Sequence, residues 1–242
     1  MRGKDEMIDQ QAVSKIQEKL ERKYPSKILH ILNGSCMLED FKRNGQIKEG
    51  CTYIPFNEAM CWGEADDVIF SKEFIRKRAK SLKSAEEEYT HIVLEPLKPL
   101  FEEEFNLIVM WFGDDMFCQI NMLTVMGFLE QRGYTGKLLL CVVCESNDEI
   151  LPEVYEVQLE GSLEKYRDII CKHQMPQQEL LPVTYQVVKI YLNYRDENSE
   201  ISRYIIKNRN KEKQELVREL LKTFPQYGLG DLQYEMMIEE LI

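Results

Sequence analysis

The sequence predicts an α/β protein, in which a doubly wound, mostly parallel sheet is followed by a helical C-terminal region. Apolar runs with little alternation, which are typical of strands covered on both faces, occur at residues 27–32, 105–112 and 137–144. Stretches with a helical spacing of apolar residues separate these runs, as βαβ units require. After residue 145 the sequence becomes polar and helical in pattern, which places the sheet in the first part of the chain.

The first element is a helix at residues 5–23. Its apolar residues recur at every fourth position, at Ile8, Ala12, Ile16 and Leu20. Pro25 ends it, because the residue before a proline disfavours the helical conformation.

The remaining elements follow from apolar runs for strands and helical spacing for helices. Strands are predicted at 27–32, 51–56, 105–112, 137–144 and, at an edge of the sheet, 154–159. Helices are predicted at 37–43, 71–84, 85–104 with a break at Pro96 or Pro99, 116–129, 162–172, 179–193, 201–207, 211–224 and 231–241. The chain thus divides into an N-terminal helix at 1–26, an α/β domain at 27–145 and a mostly helical region at 146–242 that packs on it.

The acidic charge restricts the partners that this chain is expected to bind. The formal net charge is −11, whereas a domain that grips nucleic acid usually presents a basic face. The longest basic cluster consists of Arg76, Lys77, Arg78, Lys80 and Lys83, and we interpret it as a solvated helix face. The composition therefore argues against nucleic-acid binding.

Neither a membrane span nor a secretory signal is predicted. No apolar run reaches 18 residues, and the N-terminus has no apolar segment. The seven cysteines are an odd number without a repeat, which is typical of reduced thiols. We therefore expect a cytoplasmic protein.

Three loops leave the predicted strands at one edge of the sheet, at residues 33–35, 57–63 and 113–115. In a Rossmann-like sheet of this kind, ligands bind outside the carboxyl ends of the strands, where the strand order switches. The candidate ligand-binding residues are Asn33, Gly34, Ser35, Glu58, Trp62, Gly63, Gly113, Asp114, Asp115 and Gln119.

The first loop is suited to an anion. Gly34, like Gly113 in the third loop, lets the backbone approach a ligand closely, and Ser35 opens a helix whose free N–H groups favour a phosphate. Neither the GxxxxGK pattern nor GxGxxG is present. The alternative that Asn33-Gly34-Ser35 is only a tight turn with a cap therefore stays open.

Asp114 and Asp115 are adjacent carboxylates at the start of an apolar helix. They could bind a ligand hydroxyl, hold a metal through water or activate water. Equally, one of them can be the helix N-cap and the other a solvated charge. Gln119 lies one turn later, and because a buried amide needs partners, it is predicted to reach toward the same loop. In the middle loop, Trp62 can stack on a ligand ring or cover the sheet edge.

No catalytic or metal-binding set can be assembled from the sequence. His30 lies within a strand and is interpreted as a core histidine. Cys141 and Cys144 form C-x-x-C in a predicted strand, where positions three apart point to opposite faces. The GxSxG, HExxH and zinc-finger patterns are absent. We therefore assign no metal site, and the catalytic residues and any cofactor stay unknown.

Four segments together resemble a bacterial family. They are residues 29–35 (LHILNGS), 57–63 (NEAMCWG), 110–119 (MWFGDDMFCQ) and 227–231 (YGLGD). Over residues 27–242 the chain resembles the family called domain of unknown function 1835, which implies an α/β N-terminal part and a helical C-terminal part. The chain departs from the family pattern at Ser35, where an acidic residue is usual, and at Glu64, where proline is usual. The resemblance implies no reaction.

Two functions are consistent with these observations. The leading hypothesis is a module that binds a small anionic or nucleotide-type ligand at the sheet edge, with enzymatic activity left open. The alternative is an interaction or regulatory protein that docks a partner, or a second copy of itself, through its C-terminal helices. For docking, the candidate surface is the face of Leu216, Leu220 and Phe224. DNA binding is least favoured, because the last helix carries four acids and no base.

Overall fold

The computed structural model describes residues 10–24, 27–143 and 153–242. Within these ranges the strands are β1 Ile28–Leu32, β2 Thr52–Pro55, β3 Leu107–Gly113, β4 Lys137–Val143 and β5 Glu153–Glu156. They form one sheet in the order β2-β1-β3-β4-β5. The first four strands are parallel, and β5 pairs antiparallel with β4. The predicted α/β class with a mostly parallel sheet is therefore confirmed.

Helices cover both faces of this sheet. They are α1 Gln10–Lys23, α2 Ser35–Arg43, α3 Lys72–Ser81, α4 Glu86–Tyr89, α5 Lys98–Glu102, α6 Met116–Gln131, α7 Ser162–Tyr166, α8 Pro182–Arg195, α9 Glu200–Lys207, α10 Lys213–Thr223 and α11 Asp231–Leu241. A π-helical turn, Thr90–Leu94, continues α4, and a second, Arg167–Cys171, continues α7. A 3₁₀ turn, Pro225–Tyr227, precedes α11.

The sheet separates two apolar cores of unequal size. Along β1, Leu29 and Ile31 belong to the larger core and Ile28 and Leu32 to the smaller one, as the alternation of side chains along a strand requires. The smaller core is covered by α1 and α2. The larger core receives side chains from α3 through α11, so the C-terminal helices share one core with the sheet.

Helix α6 lies at the centre of the larger core, and twelve of its sixteen residues are buried. Gly127 allows α7 to approach closely, since a Cβ there would lie only 3.0 Å from Cβ of Tyr166. The carboxylate of Glu130 accepts hydrogen bonds from the N–H groups of Gly161 and Leu163, at 2.9 and 2.6 Å. The central helix thereby fixes the first turn of α7.

Several predicted boundaries differ from those observed. Helix α2 begins at Ser35, two residues before its predicted start. Helix α8 begins at Pro182 rather than at residue 179, because proline fits the first helical turn, where no N–H donor is needed. The first residues of the predicted 5–23 helix, Cys144 and the predicted boundary after residue 145 lie outside the described residues. Within the described part of the chain, no helix combines the length and apolarity needed to cross a membrane.

Candidate functional site

The strand order places a switch point, the usual position of a ligand crevice in such sheets, at the carboxyl edge of the sheet. From β1 the chain passes to β2 on one side and then returns to β3 on the other side of β1. Helices that follow two such strands diverge, which leaves space between the strand ends. Loops 33–35 and 113–115 flank this switch point, and loop 57–63 follows the neighbouring β2.

Asn121, on α6, joins two of these loops. Its amide nitrogen donates to Oδ1 of Asn33 at 3.0 Å and to the carbonyl oxygen of Glu58 at 2.6 Å. Its amide oxygen accepts from the N–H of Met60 at 3.0 Å. Asn33 in turn donates to Sγ of Cys118 at 2.8 Å, at the start of α6. The predicted convergence of the loops is therefore built from side-chain amides that bond to one another.

The side chain of Glu58 lies in a buried ion pair. Its two oxygens accept from Nε and Nη2 of Arg78 at 2.9 and 2.8 Å, and both side chains are fully buried. The hydroxyl of Tyr89 donates to the same carboxylate at 2.6 Å, and the N–H of Ala59 donates at 2.7 Å. A carboxylate with four such donors has little capacity left for a ligand.

Contrary to the prediction, Arg78 is not part of a solvated helix face. Its guanidinium is buried and also donates to the carbonyl oxygens of Ala59 and Glu64, at 3.0 and 3.1 Å. Burial opposes its charge, but the Glu58 carboxylate outweighs this effect, so the pKa of Arg78 is raised. Burial and Glu58 likewise raise the pKa of Tyr89. The interpretation of this residue as part of a solvated face was wrong, because its charge pairs with a buried carboxylate that lies 20 residues away in sequence.

The side chain of Trp62 is packed within the protein. It is 5% exposed and stacks on Tyr194 of α8, with ring centroids 6.3 Å apart. The next residue, Gly63, has a φ of +72°, and a Cβ there would lie 2.2 Å from Cβ of Ser81. The N–H of Glu64 donates to Oγ of Ser81 at 2.9 Å. This end of the middle loop is therefore held flat against α3.

The start of α2 is the more open part of the crevice. Its N-cap is Gly34, with a φ of +91°, which offers no side chain to the first turn. The N–H and hydroxyl of Ser35 both donate to Oδ1 of Asn57, at 2.8 and 2.9 Å. Among the described residues, the N–H groups of Cys36 and Met37 have no hydrogen-bond acceptor.

The loop after β3 combines a tight turn with a capped helix. Asp115 is the N-cap of α6, and its Oδ1 accepts from the N–H of Cys118 at 3.0 Å. Gly113 is buried, and a Cβ there would lie 2.9 Å from Sγ of Cys118. As predicted, Gln119 reaches back to this loop, donating to the Gly113 carbonyl oxygen at 2.6 Å. Asp114 is half-buried and has no hydrogen-bond or ion-pair partner in the described ranges.

His30 is a core residue, as interpreted from the sequence. Its ring stacks on Tyr53 with centroids 4.4 Å apart, and its Nδ1 accepts from Nε1 of Trp111 at 3.0 Å. Burial lowers its pKa to about 3, so the ring is neutral at physiological pH.

Sequence reasoning missed Asn57, Arg78 and Asn121. Gln119 and Asn121 are both polar residues in an otherwise apolar helix, so the signal that identified Gln119 is also present at Asn121. No sequence signal pairs Arg78 with Glu58, since the contact depends on how α3 packs against the loop.

The N–H groups at the start of α2 can donate hydrogen bonds to an anion. The carboxylate of Asp114 can accept a hydrogen bond from a hydroxyl group. In the described part of the chain, no group of three His, Cys, Asp or Glu residues is placed to hold a metal ion. No family model matches the chain, and no curated protein and no solved structure shows significant similarity to it. The resemblance noted above stays a prediction.

Proposed function

We propose that this protein is a Rossmann-like module that binds a small anionic ligand in the crevice between β1 and β3. One observation carries the proposal: α2 begins at the switch point, and the N–H groups of Cys36 and Met37 there have no acceptor among the described residues. The first turn of a helix attracts anions, because its N–H groups and its dipole both favour negative charge.

The opposite side of the crevice restricts the kind of ligand. Asp114 repels a phosphate but accepts a hydrogen bond from a hydroxyl group. We therefore expect a ligand with an anionic end at α2 and hydroxyl groups beside Asp114, as in a sugar phosphate or a nucleotide. The proposal includes membership of the family called domain of unknown function 1835 and leaves enzymatic activity open.

Isothermal titration calorimetry with ribose 5-phosphate and nucleoside diphosphates tests this proposal. In the variant Ser35→Asp, a carboxylate occupies the first turn of α2, where it competes with the anion. The same charge is favourable at a helix N-terminus, so the fold is retained. We expect a loss of affinity of about tenfold or more, because a charge-assisted hydrogen bond contributes at least that factor.

Asn198→Asp is the matched control, since it adds the same charge at an exposed position before α9. If both variants bind these compounds as tightly as the wild-type protein does, the crevice is not an anion site. The same conclusion follows if the wild-type protein binds none of them.

The surface that was a candidate for docking through the C-terminal helices is buried. Leu216, Leu220 and Phe224 are between 0% and 6% exposed and belong to the larger core. A partner could reach this face only if α10 separated from the rest of the chain. The structure therefore gives less support to docking than to ligand binding.

A further inference from the structure

A second site lies on the outer side of the middle loop. A cavity of about 380 Å³ opens between the Trp62–Gly63–Glu64 segment, α3, the end of α8 and α11. Five cationic side chains line it: Arg76, Lys77, Lys80, Lys83 and Arg195. Two carboxylates, Glu64 and Glu240, are also present. We call this cavity the basic pocket, and its excess of cations contrasts with the net charge of −11 of the whole chain.

The five cations fall into two groups. Arg76, Lys77 and Lys83 form ion pairs with Glu73, Asp66 and Glu239, at 2.5, 2.8 and 2.7 Å. Lys80 and Arg195 have no acidic partner in the described ranges. The pocket thus contains two cations and two carboxylates that form no direct ion pair among the described residues. Its other three cations are held by partly exposed pairs, which contribute little stability.

Several contacts hold the wall of the pocket in position. Arg78, beneath the loop, donates to the carbonyl oxygen of Glu64 at 3.1 Å. Oγ of Ser81 accepts from the N–H of Glu64 at 2.9 Å. Trp62 stacks on Tyr194, and the Arg195 guanidinium lies 6.0 Å from the same tyrosine ring. These contacts position the backbone and one cation before any ligand binds, which lowers the entropic cost of binding.

We infer that the basic pocket binds a small ligand that carries more than one phosphate group. Its volume lies within the range of small-molecule sites. Arginine and lysine are the side chains that proteins use to bind phosphate oxygens. Several cations around one cavity favour a compact polyanion over a single charge, because each phosphate group can engage a different cation. This site is separate from the crevice of the proposed function and does not depend on it.

Calorimetric titration with inorganic tripolyphosphate tests the inference. The titration is carried out in the Ser35→Asp background, in which binding in the crevice is expected to be weakened. We expect the double variant Lys80→Gln/Arg195→Gln to lose affinity by about tenfold or more, because two charge-assisted contacts are removed. The control is Arg203→Gln/Lys207→Gln on α9, which removes one arginine and one lysine at exposed positions.

Retained binding in the control together with the loss in the pocket variant supports the inference. Equal losses in both double variants would show general charge attraction and overturn it. Absence of tripolyphosphate binding to the Ser35→Asp protein would also overturn it, as would tighter binding of a polyglutamate peptide than of tripolyphosphate. Because the crevice variant and the pocket variant differ, either proposal can fail while the other stands.

Discussion

Arg78 and Lys80 lie two positions apart on α3, yet they place the same charge in different environments. Arg78 is fully buried and paired with Glu58, whereas Lys80 is exposed in the basic pocket without an acidic partner among the described residues. Positions two apart on a helix face nearly opposite directions. The comparison shows that charge alone does not identify a ligand site. A buried charged group whose counter-charge the chain itself supplies stabilises the fold, and an exposed one without a direct partner is available to a ligand.

The largest effect is expected where the buried pair is broken. Arg78→Met leaves the Glu58 carboxylate buried without its counter-charge, which costs about 3–5 kcal/mol of the free energy of unfolding. Urea denaturation followed by circular dichroism measures this loss. The control Lys80→Met should leave the urea midpoint unchanged. A loss below about 1 kcal/mol for Arg78→Met would mean that the pair is not buried in solution.

A smaller loss of the free energy of unfolding is expected when the side-chain amide of Asn121, which joins two loops, is removed. Asn121→Leu preserves the side-chain volume but leaves the Glu58 carbonyl oxygen and the Met60 N–H without their partner. We expect a loss of about 2–3 kcal/mol, at the lower end of the range set by roughly 1–3 kcal/mol for each of these two unsatisfied buried groups. The same denaturation measurement applies, with the exposed Asn198→Leu as control. Equal stability of the two variants would refute the structural role of Asn121.

The third prediction concerns pH. His30 has a folded-state pKa of about 3, below its ordinary value of 6.5, so the unfolded chain binds more protons between these values. The stability contributed by neutral His30 is therefore complete above pH 6.5 and decreases as the pH falls toward 3. Between pH 6.5 and 5, wild-type stability should fall by up to about 2 kcal/mol more than that of His30→Phe, at about 1.4 kcal/mol per pH unit. Parallel pH profiles of the two proteins would contradict a buried, neutral His30.

The smallest effects on stability are expected at two neighbouring carboxylates, Asp114 and Asp115, whose removal should have different consequences. Asp115→Ala removes the N-cap of α6 and should cost about 1 kcal/mol. Asp114→Ala should leave the free energy of unfolding nearly unchanged, because Asp114 has no partner among the described residues. In the ligand titration the order is expected to reverse, with Asp114→Ala weakening binding more than Asp115→Ala. A larger stability loss from Asp114→Ala would overturn these assignments.

Much of the fold could be predicted because its signals are local. The apolar runs that became β1, β3 and β4 need both faces covered, and the apolar stretch that became α6 needs burial on most sides. The contact of Gln119 with the loop after β3 was predicted correctly, because a buried amide must find a partner. Such requirements can be read from the residue and its immediate neighbours.

The site could be predicted only in part, because its contacts are not local. Glu58 was selected as a polar residue in a loop, but its partners Arg78 and Tyr89 lie 20 and 31 positions away on two other elements. The basic pocket likewise joins α3 to the end of α8, and nothing in the spacing of Lys80 and Arg195 indicates that they line one cavity.

The most direct test of the account is a ¹⁵N-labelled amide chemical-shift titration with ribose 5-phosphate, which reports every loop at once. If groups with partners form the architecture and groups without partners bind the ligand, the amides of Cys36 and Met37 shift on titration, whereas those of Ala59 and Met60, next to the buried Glu58, do not. Shifts at Ala59 and Met60 without shifts at Cys36 and Met37, or no shifts at all, would contradict it.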